Sequence, residues 1–230
     1  YFLCSVTANI YIFVGKKKHR MKKNILFLIL MLFLSSCIEI KEVLKVNSDG
    51  SGSLTMTVDM SKAGSSFSQA NQQVNMTFVK EIQDAPGRAD SVLKTCPGIS
   101  SLKTSSEKGL YVVGFDFKNS KALNTALYKL FKQKKSIFKP DFIKVTKHKT
   151  RQMNFAPLLK KYLLKTSSTM VSDMLFQLIR IESSFELPAK ARNVSNIKAL
   201  QENEGQTIKM KYTLYELINN DFDYGISMTY

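Results

Sequence analysis

Ile38-Glu-Ile-Lys-Glu-Val-Leu-Lys-Val-Asn-Ser-Asp-Gly-Ser-Gly-Ser-Leu-Thr-Met-Thr-Val-Asp-Met60 decides the fold, because two apolar-rich runs flank a segment, Asn47 to Gly52, made entirely of turn-forming residue types. On the far side Leu54, Met56, Val58 and Met60 alternate strictly, the period of a half-buried strand. On the near side Ile38, Ile40, Val43, Leu44 and Val46 also read as a strand, with a slip in the alternation at Val43. The stretch predicts a hairpin. Asn47, Asp49, Ser51 and Gly52 imitate the opening of a calcium loop, but the twelfth position, where a bidentate glutamate is needed, is Val58. No metal is expected there.

Downstream, Ser61 or Ser65 caps a helix whose Phe67, Ala70, Val74, Phe78 and Ile82 share one face, stopped by Ala85-Pro86-Gly87. A short helix from Asp90 to Thr95 ends at Cys96-Pro97-Gly98. Cys96 has no local histidine or cation to lower its pKa, so packing is expected of it. Ile99 to Lys103 and Leu110 to Phe117 form a strand pair about Glu107-Lys108-Gly109, and Asn119 or Ser120 caps a helix carrying Leu123, Ala126, Leu127 and Leu130. Phe138, Phe142, Val145 and the run Thr146 to Asn154 predict two short basic strands. Pro157 then opens a helix with Leu158, Leu159, Tyr162 and Leu163 inward and Lys160, Lys161 and Lys165 outward. A helix with Met170, Val171, Met174, Leu175 and Leu178 runs into a strand, Ile179 to Leu187. Past Pro188, Asn193 to Ile197 and Ile208 to Leu214 are strands joined through Glu204-Gly205, Tyr215 to Asn219 is a turn of helix, and Gly225 to Tyr230 is a last strand. With no repeat and no domain-separating linker, residues 37–230 are expected to form a single α+β domain, an antiparallel sheet with helices packed on one face.

Upstream, Met21-Lys-Lys-Asn24 precedes ten apolar residues, Ile25 to Leu34, and then Ser35-Ser36-Cys37. A charged start, a short apolar run and small residues before the break are the pattern of an export signal. A transmembrane helix fails on length, since ten residues reach ~15 Å against ~30 Å of hydrocarbon. Leu34-Ser35-Ser36-Cys37 resembles the lipobox of bacterial lipoproteins. That resemblance implies cleavage between Ser36 and Cys37, lipidation of Cys37, acylation of the new amino terminus, and attachment to a membrane through those acyl chains. Residues 21–36 would be the signal peptide and 37–230 the mature chain. Residues 1–20, ahead of a leader that is complete from Met21, are expected to be upstream translation from a mis-assigned start.

The order of the DGSG turn, Pro97-Gly-Ile-Ser100, Gly114-Phe-Asp-Phe117, Ala122-Leu-Asn-Thr-Ala-Leu127, Glu186-Leu-Pro-Ala-Lys190 and Val194-Ser-Asn196 also resembles a group of Bacteroidetes lipoproteins, a likeness that carries no catalytic assignment. In such families an aspartate just after the cysteine favours inner-membrane retention and an acidic tract favours surface display. Ile38-Glu39-Ile40-Lys41 has neither, which implies the outer membrane with the domain facing the periplasm.

The formal charge of +16 is unevenly spread. Residues 1–36 hold Lys16, Lys17, Lys18, Arg20, Lys22 and Lys23 with no acid, and residues 129–165 hold twelve Lys or Arg against Asp141 alone. The rest is close to neutral, so the basicity of the mature chain is one block. Lys132, Lys134, Lys135, Lys139, Lys144, Lys147, Lys149, Arg151, Lys160 and Lys161 are its candidate anion contacts, interleaved with Tyr128, Phe131, Phe138, Phe142, Phe155 and Tyr162. Export argues against nucleic acid; anionic lipid, an acidic polysaccharide or an envelope protein are the partners such a block would meet.

Chemistry finds little to work with. Of two histidines, His148 sits between Lys147 and Lys149 with no orienting acid, and no nucleophile elbow or phosphate-binding glycine loop occurs. Asp221 and Asp223, and Glu202 and Glu204, read as solvated loop acids, and three scattered cysteines form no metal or redox motif. No catalytic residue, metal or cofactor is assigned. The expectation is a non-enzymatic, membrane-anchored envelope protein with a binding or assembly role. The alternative is a hydrolase of envelope polymers whose carboxylates meet only in the fold.

Overall fold

In the computed structural model the described residues are 38–63, 77–131, 140–163, 176–219 and 223–230. Residues Cys37–Tyr230 form a compact unit of their own. The hairpin forms as the opening stretch predicts: β1 (Ile38–Val46) pairs antiparallel with β2 (Gly52–Asp59) in unbroken register, Ile40 opposite Val58 through Val46 opposite Gly52. There is no slip. Glu42 takes the inward place between Ile40 and Leu44, and Val43 points to the other face, because period-2 geometry is fixed by the pleat and not by side-chain polarity. The turn is satisfied internally. Gly50 takes the left-handed φ of 83°, and Asp49 Oδ1 accepts from the Ser51 amide (2.9 Å) and hydroxyl (2.6 Å). These bonds lower the Asp49 pKa, the hydroxyl foremost.

Gly52 is required by close approach. A Cβ there would lie 2.0 Å from the Lys45 carbonyl oxygen and 2.7 Å from Cζ of Phe117, which pairs with Gly52 on the neighbouring strand. Backbone cannot yield as a side-chain tip can. Gly52→Ala is expected to cost about 3 kcal/mol, the upper range for overpacking, and to lower the melting temperature by roughly 6–12 °C. Gly50→Ala, with open space around its Cβ, should cost only the left-handed backbone term, about 1 kcal/mol. Thermal melts of both variants check the ordering.

Around this hairpin a seven-stranded sheet forms in the order β3-β4-β2-β1-β7-β10-β9, with β3 Ile99–Glu107, β4 Leu110–Phe117, β7 Ile179–Glu186, β9 Leu200–Glu202 and β10 Thr207–Thr213. One expectation is corrected here: β1 and β7 run parallel, so the sheet is mixed, not wholly antiparallel. Strand β1 is central, so its second edge has to be filled, and a strand returning after a long crossover can fill it parallel. A second sheet of four antiparallel strands, also unforeseen, has the order β5-β6-β11-β8. Its strands are β5 Ile143–Thr146, β6 Lys149–Gln152, β8 Asn193–Val194 and β11 Ile226–Thr229. The strand expected at 193–197 thus belongs to this sheet. The partner that joins β10 through the left-handed turn Asn203-Glu204-Gly205 is β9. Glu202 is not a loop acid, since it forms an ion pair with Lys209 at 2.6 Å.

Among the described residues the helices with both ends placed are α1 (Thr77–Leu93), α2 (Ser120–Leu130), α3 (Ala156–Leu163) and α4 (Leu214–Asn219), and residues 176–178 are helical too. Helix α1 does not stop at Pro86 but runs through it. Proline removes a backbone donor, but Arg88 straddles the position, with Nη1 2.8 Å from Glu81 Oε2 and Nη2 donating to the Glu81 carbonyl at 3.5 Å. Ala89 and Leu93 beyond it are buried. Residues Phe67, Ala70, Val74, Met170, Val171, Met174, Leu175 and Lys165 lie outside the described residues. Helix α2 is capped as expected, by Asn119 Oδ1 accepting from the Ala122 amide at 3.0 Å. In α3 Lys160 and Lys161 are exposed as predicted, but so is Leu158 (43%), against expectation. Position 158 falls in the first turn, before the helix settles on α4.

Helices α1 and α2 pack on the β3–β4 end and α4 on β7 and β10. They share a core with Leu44, Leu54, Phe115, Phe117, Phe185, Ile208 and Met210 from the large sheet and Ile143, Val145, Ile226 and Met228 from the small one. Cys96 belongs to that core, its Sγ 3.4 Å from the Val92 carbonyl. Each fully buried aliphatic or aromatic side chain contributes about 1.5–3 kcal/mol. Among the described residues no helix is long and apolar enough to cross a membrane.

Candidate functional site

The middle of the basic block, residues 143–152, forms part of the outer face of the small sheet. Strands β5 and β6 form a hairpin with Lys144 opposite Arg151 and Thr146 opposite Lys149, and Lys147-His148 make its turn. Alternation puts Ile143, Val145, Thr150 and Gln152 into the core and leaves Lys144, Thr146, Lys149 and Arg151 exposed. Strand β11 continues the face with Ser227 beside Arg151 and Thr229 beside Lys149, and β8 adds Asn193 beside Thr229.

The outer edge of β5 is held by side chains instead of a strand. Buried Asn124 of α2 donates through Nδ2 to the Ile143 carbonyl (2.6 Å) and accepts its amide at Oδ1 (3.2 Å). Ser120 Oγ donates to the same carbonyl (3.1 Å) and accepts from the Val145 amide (3.2 Å), while Tyr128 Oη donates to the Pro140 carbonyl (2.6 Å). At the inner side Tyr230 Oη donates to the Thr146 carbonyl and shares a hydrogen bond with Thr150 Oγ1, each at 3.1 Å. The hairpin is thus tied to the fold at its outer edge and at its inner side.

Its electrostatics are unbalanced. Cross-strand Cβ atoms stand ~5 Å apart, so the exposed Lys144 and Arg151 repel one another, most strongly at low salt. Elsewhere in the fold Lys209 pairs with Glu202, Lys211 with Glu182 and Lys94 with Asp90, while Lys45, Lys103 and Lys121 form no ion pair among the described residues. Among the described residues no ion pair involves Lys144, Lys147, Lys149, Arg151, Lys160 or Lys161. Like charges placed face to face destabilise a sheet. Lys132, Lys134, Lys135, Lys139 and Cys37, with the Ser36–Cys37 bond, lie outside the described residues. Phe131 and Phe142 do meet, ring centroids 5.5 Å apart, and Phe142 also stacks on Tyr128 at 4.6 Å. These aromatics pack beside the hairpin.

Sequence reading missed a second polar group. Among the described residues Glu42 is the one acid on the inner face of the large sheet, flanked there by Ile40, Leu44 and Met56. Ser183, its neighbour on β7, donates to Glu42 Oε2 at 3.2 Å and shares a hydrogen bond with Tyr212 Oη at 3.2 Å. Tyr212 in turn packs on Tyr224 at 4.8 Å. Part of Glu42 reaches solvent, yet enough protein surrounds its carboxyl that burial raises its pKa, the Ser183 bond opposing. Burial also drives Tyr212 far up and Tyr224 to about 12. Strict alternation through Val43 would have found Glu42.

Because the folded pKa of Glu42 is raised, its contribution to stability is fully present below the unfolded value and is lost as pH rises through the folded one. Glu42→Gln keeps the hydrogen bond without the charge. The variant is expected to be more stable at pH 7 by about 1 kcal/mol, the low end for a partly exposed group, and to match the parent near pH 3. Urea denaturation at both pH values measures this; an equal difference at both would contradict it.

No protein-family profile matches the chain, and no curated protein sequence matches it. Among solved structures, the NMR structure of the folded domain of Mycobacterium tuberculosis LppM is similar, with 9% identity, a TM-score of 0.36, and coverage of 84% of this chain and 89% of that one.

Proposed function

We propose that this chain is a lipid-anchored protein of the bacterial cell envelope, fastened by acyl chains on Cys37 after loss of residues 21–36. In this reading it faces the periplasm from the outer membrane and rests the outer face of β5–β6 on anionic lipid head groups, in a non-catalytic binding or assembly role. The observation that carries the reading is the directly cross-strand couple Lys144 and Arg151, unpaired among the described residues and held by Asn124 and Ser120 on a hairpin that also bears Lys149.

Strand β1 begins at Ile38, one residue after Cys37, and a residue spans at most ~3.5 Å. An anchor at Cys37 therefore holds the end of the sheet carrying Ile38 against the head groups with no slack. Each basic residue near an anionic surface adds about 1 kcal/mol. Lys144, Lys149 and Arg151, with Lys147 at the turn, would orient the domain, while the acyl chains give permanence.

Vesicle flotation of residues 38–230 tests the reading. Greater recovery with phosphatidylglycerol-containing vesicles than with neutral phosphatidylcholine, falling as salt rises, is the expected outcome. Equal recovery rejects head-group recognition. Binding abolished by equimolar soluble acidic polysaccharide in low salt would move the assignment to that polymer.

A further inference from the structure

Ile197 is the most exposed large apolar side chain among the described residues, at 92%. A single exposed aliphatic residue is ordinary on a protein surface. This one is different in how it is held. Its neighbour Asn196 is buried and donates through Nδ2 to the carbonyls of Asp223 (3.0 Å) and Gly225 (3.1 Å), while its Oδ1 accepts the Lys198 amide (3.0 Å). The Ala199 amide closes the turn on the Asn196 carbonyl at 3.1 Å. The fold thus spends a buried asparagine on pointing Ile197 into solvent, with no freedom to fold back.

Its position is the second observation. Pairing places Glu39 of β1 beside Arg180 of β7, and Arg180 beside Thr213 of β10. Glu216 of α4 accepts the Thr213 amide at 2.7 Å, and Lys198 reaches Glu216 at 3.6 Å. The tip therefore stands at the Ile38 end of the large sheet, the end next to Cys37. The same tip continues β8. Ser195 donates its amide to the Ser227 carbonyl (3.0 Å), and Ser227 pairs with Arg151. At ~4.8 Å per strand, Arg151 and Lys144 lie roughly 10–15 Å from Ser195.

We infer that Ile197 is a membrane-insertion tip, seated in the head-group and acyl boundary of an anionic bilayer while Lys144 and Arg151 hold the surface beside it. The inference rests on the head-group reading above and deepens it, adding an apolar contact to a charged one. A basic surface with a protruding aliphatic residue is the combination that binds an anionic interface, the charge drawing the domain in and the side chain leaving water.

The chain contains no tryptophan, so Ile197→Trp in residues 38–230 is a clean reporter. On vesicles of phosphatidylglycerol and phosphatidylcholine its emission should shift to the blue and be quenched by lipids brominated near the top of the acyl chain. Ile197→Ser should weaken partitioning roughly tenfold, since an aliphatic side chain no longer leaves water. If the tryptophan variant floats with the vesicles but its emission stays at the aqueous position, or if Ile197→Ser partitions like the parent, the insertion tip is wrong while the head-group reading stands. If neither parent nor variant floats, the head-group reading fails and this inference with it.

Discussion

Replacing Cys37 by alanine is expected to move the protein from the membrane pellet to the soluble fraction and to abolish metabolic labelling by an alkyne fatty acid. A buried methylene contributes about 0.8 kcal/mol, so one chain binds reversibly and two or three bind in effect permanently. Without Cys37 none can be attached. Release would be incomplete in low salt, because the basic face retains a weaker hold, and raising the salt should complete it. Unchanged labelling in the variant would place the acyl chains elsewhere and undo the reading of Leu34-Ser35-Ser36-Cys37.

The second large effect is on that weaker hold. In residues 38–230, Lys144→Glu with Arg151→Glu removes two attractions and adds two repulsions, about 4 kcal/mol at 1 kcal/mol each, close to a thousandfold in partitioning to anionic vesicles. The fold should tolerate the exchange, since both side chains are exposed and one like-charged couple replaces another. Melting within a few degrees of the parent separates lost binding from lost structure. Reversal of Lys94 or Lys211, whose partners Asp90 and Glu182 show them to be structural charges, should change partitioning far less.

Local features were legible in the sequence because local physics makes them. The β1–β2 turn, the Asn119 cap and the β5–β6 hairpin arise from residues a few positions apart, and each forms where turn chemistry, capping or alternation puts it. What could not be read is what depends on distance. Glu42 and Ser183 are 141 positions apart, and their meeting follows from β1 and β7 pairing in parallel, which no short window encodes. The division of strands between two sheets has the same cause: β8 turns to β11 and leaves β10 to β9. Pro86 misled because burial of Ala89 and Leu93 beyond it favours continuing the helix against a local rule, and Val43 misled because an apolar residue on the outer face imitates a slip.

The basic block was visible as composition, but its meaning was not. Twelve positive residues in one stretch are compatible with a helix end, a loop or a surface face. Only the register, with Lys144 set against Arg151 and the buried set Ile143, Val145, Thr150 and Gln152 turned away, makes it a face.

Lysine footprinting on membranes tests that face most directly. Residues 38–230 bound to anionic vesicles would be acetylated briefly, and each lysine's modification compared with that of the free domain. The account predicts protection of Lys144, Lys147 and Lys149, with Lys45 and Lys94, at the Val46–Gly52 end of the large sheet, reacting as they do in solution. Equal protection of both sets, or protection of the second set alone, would contradict it.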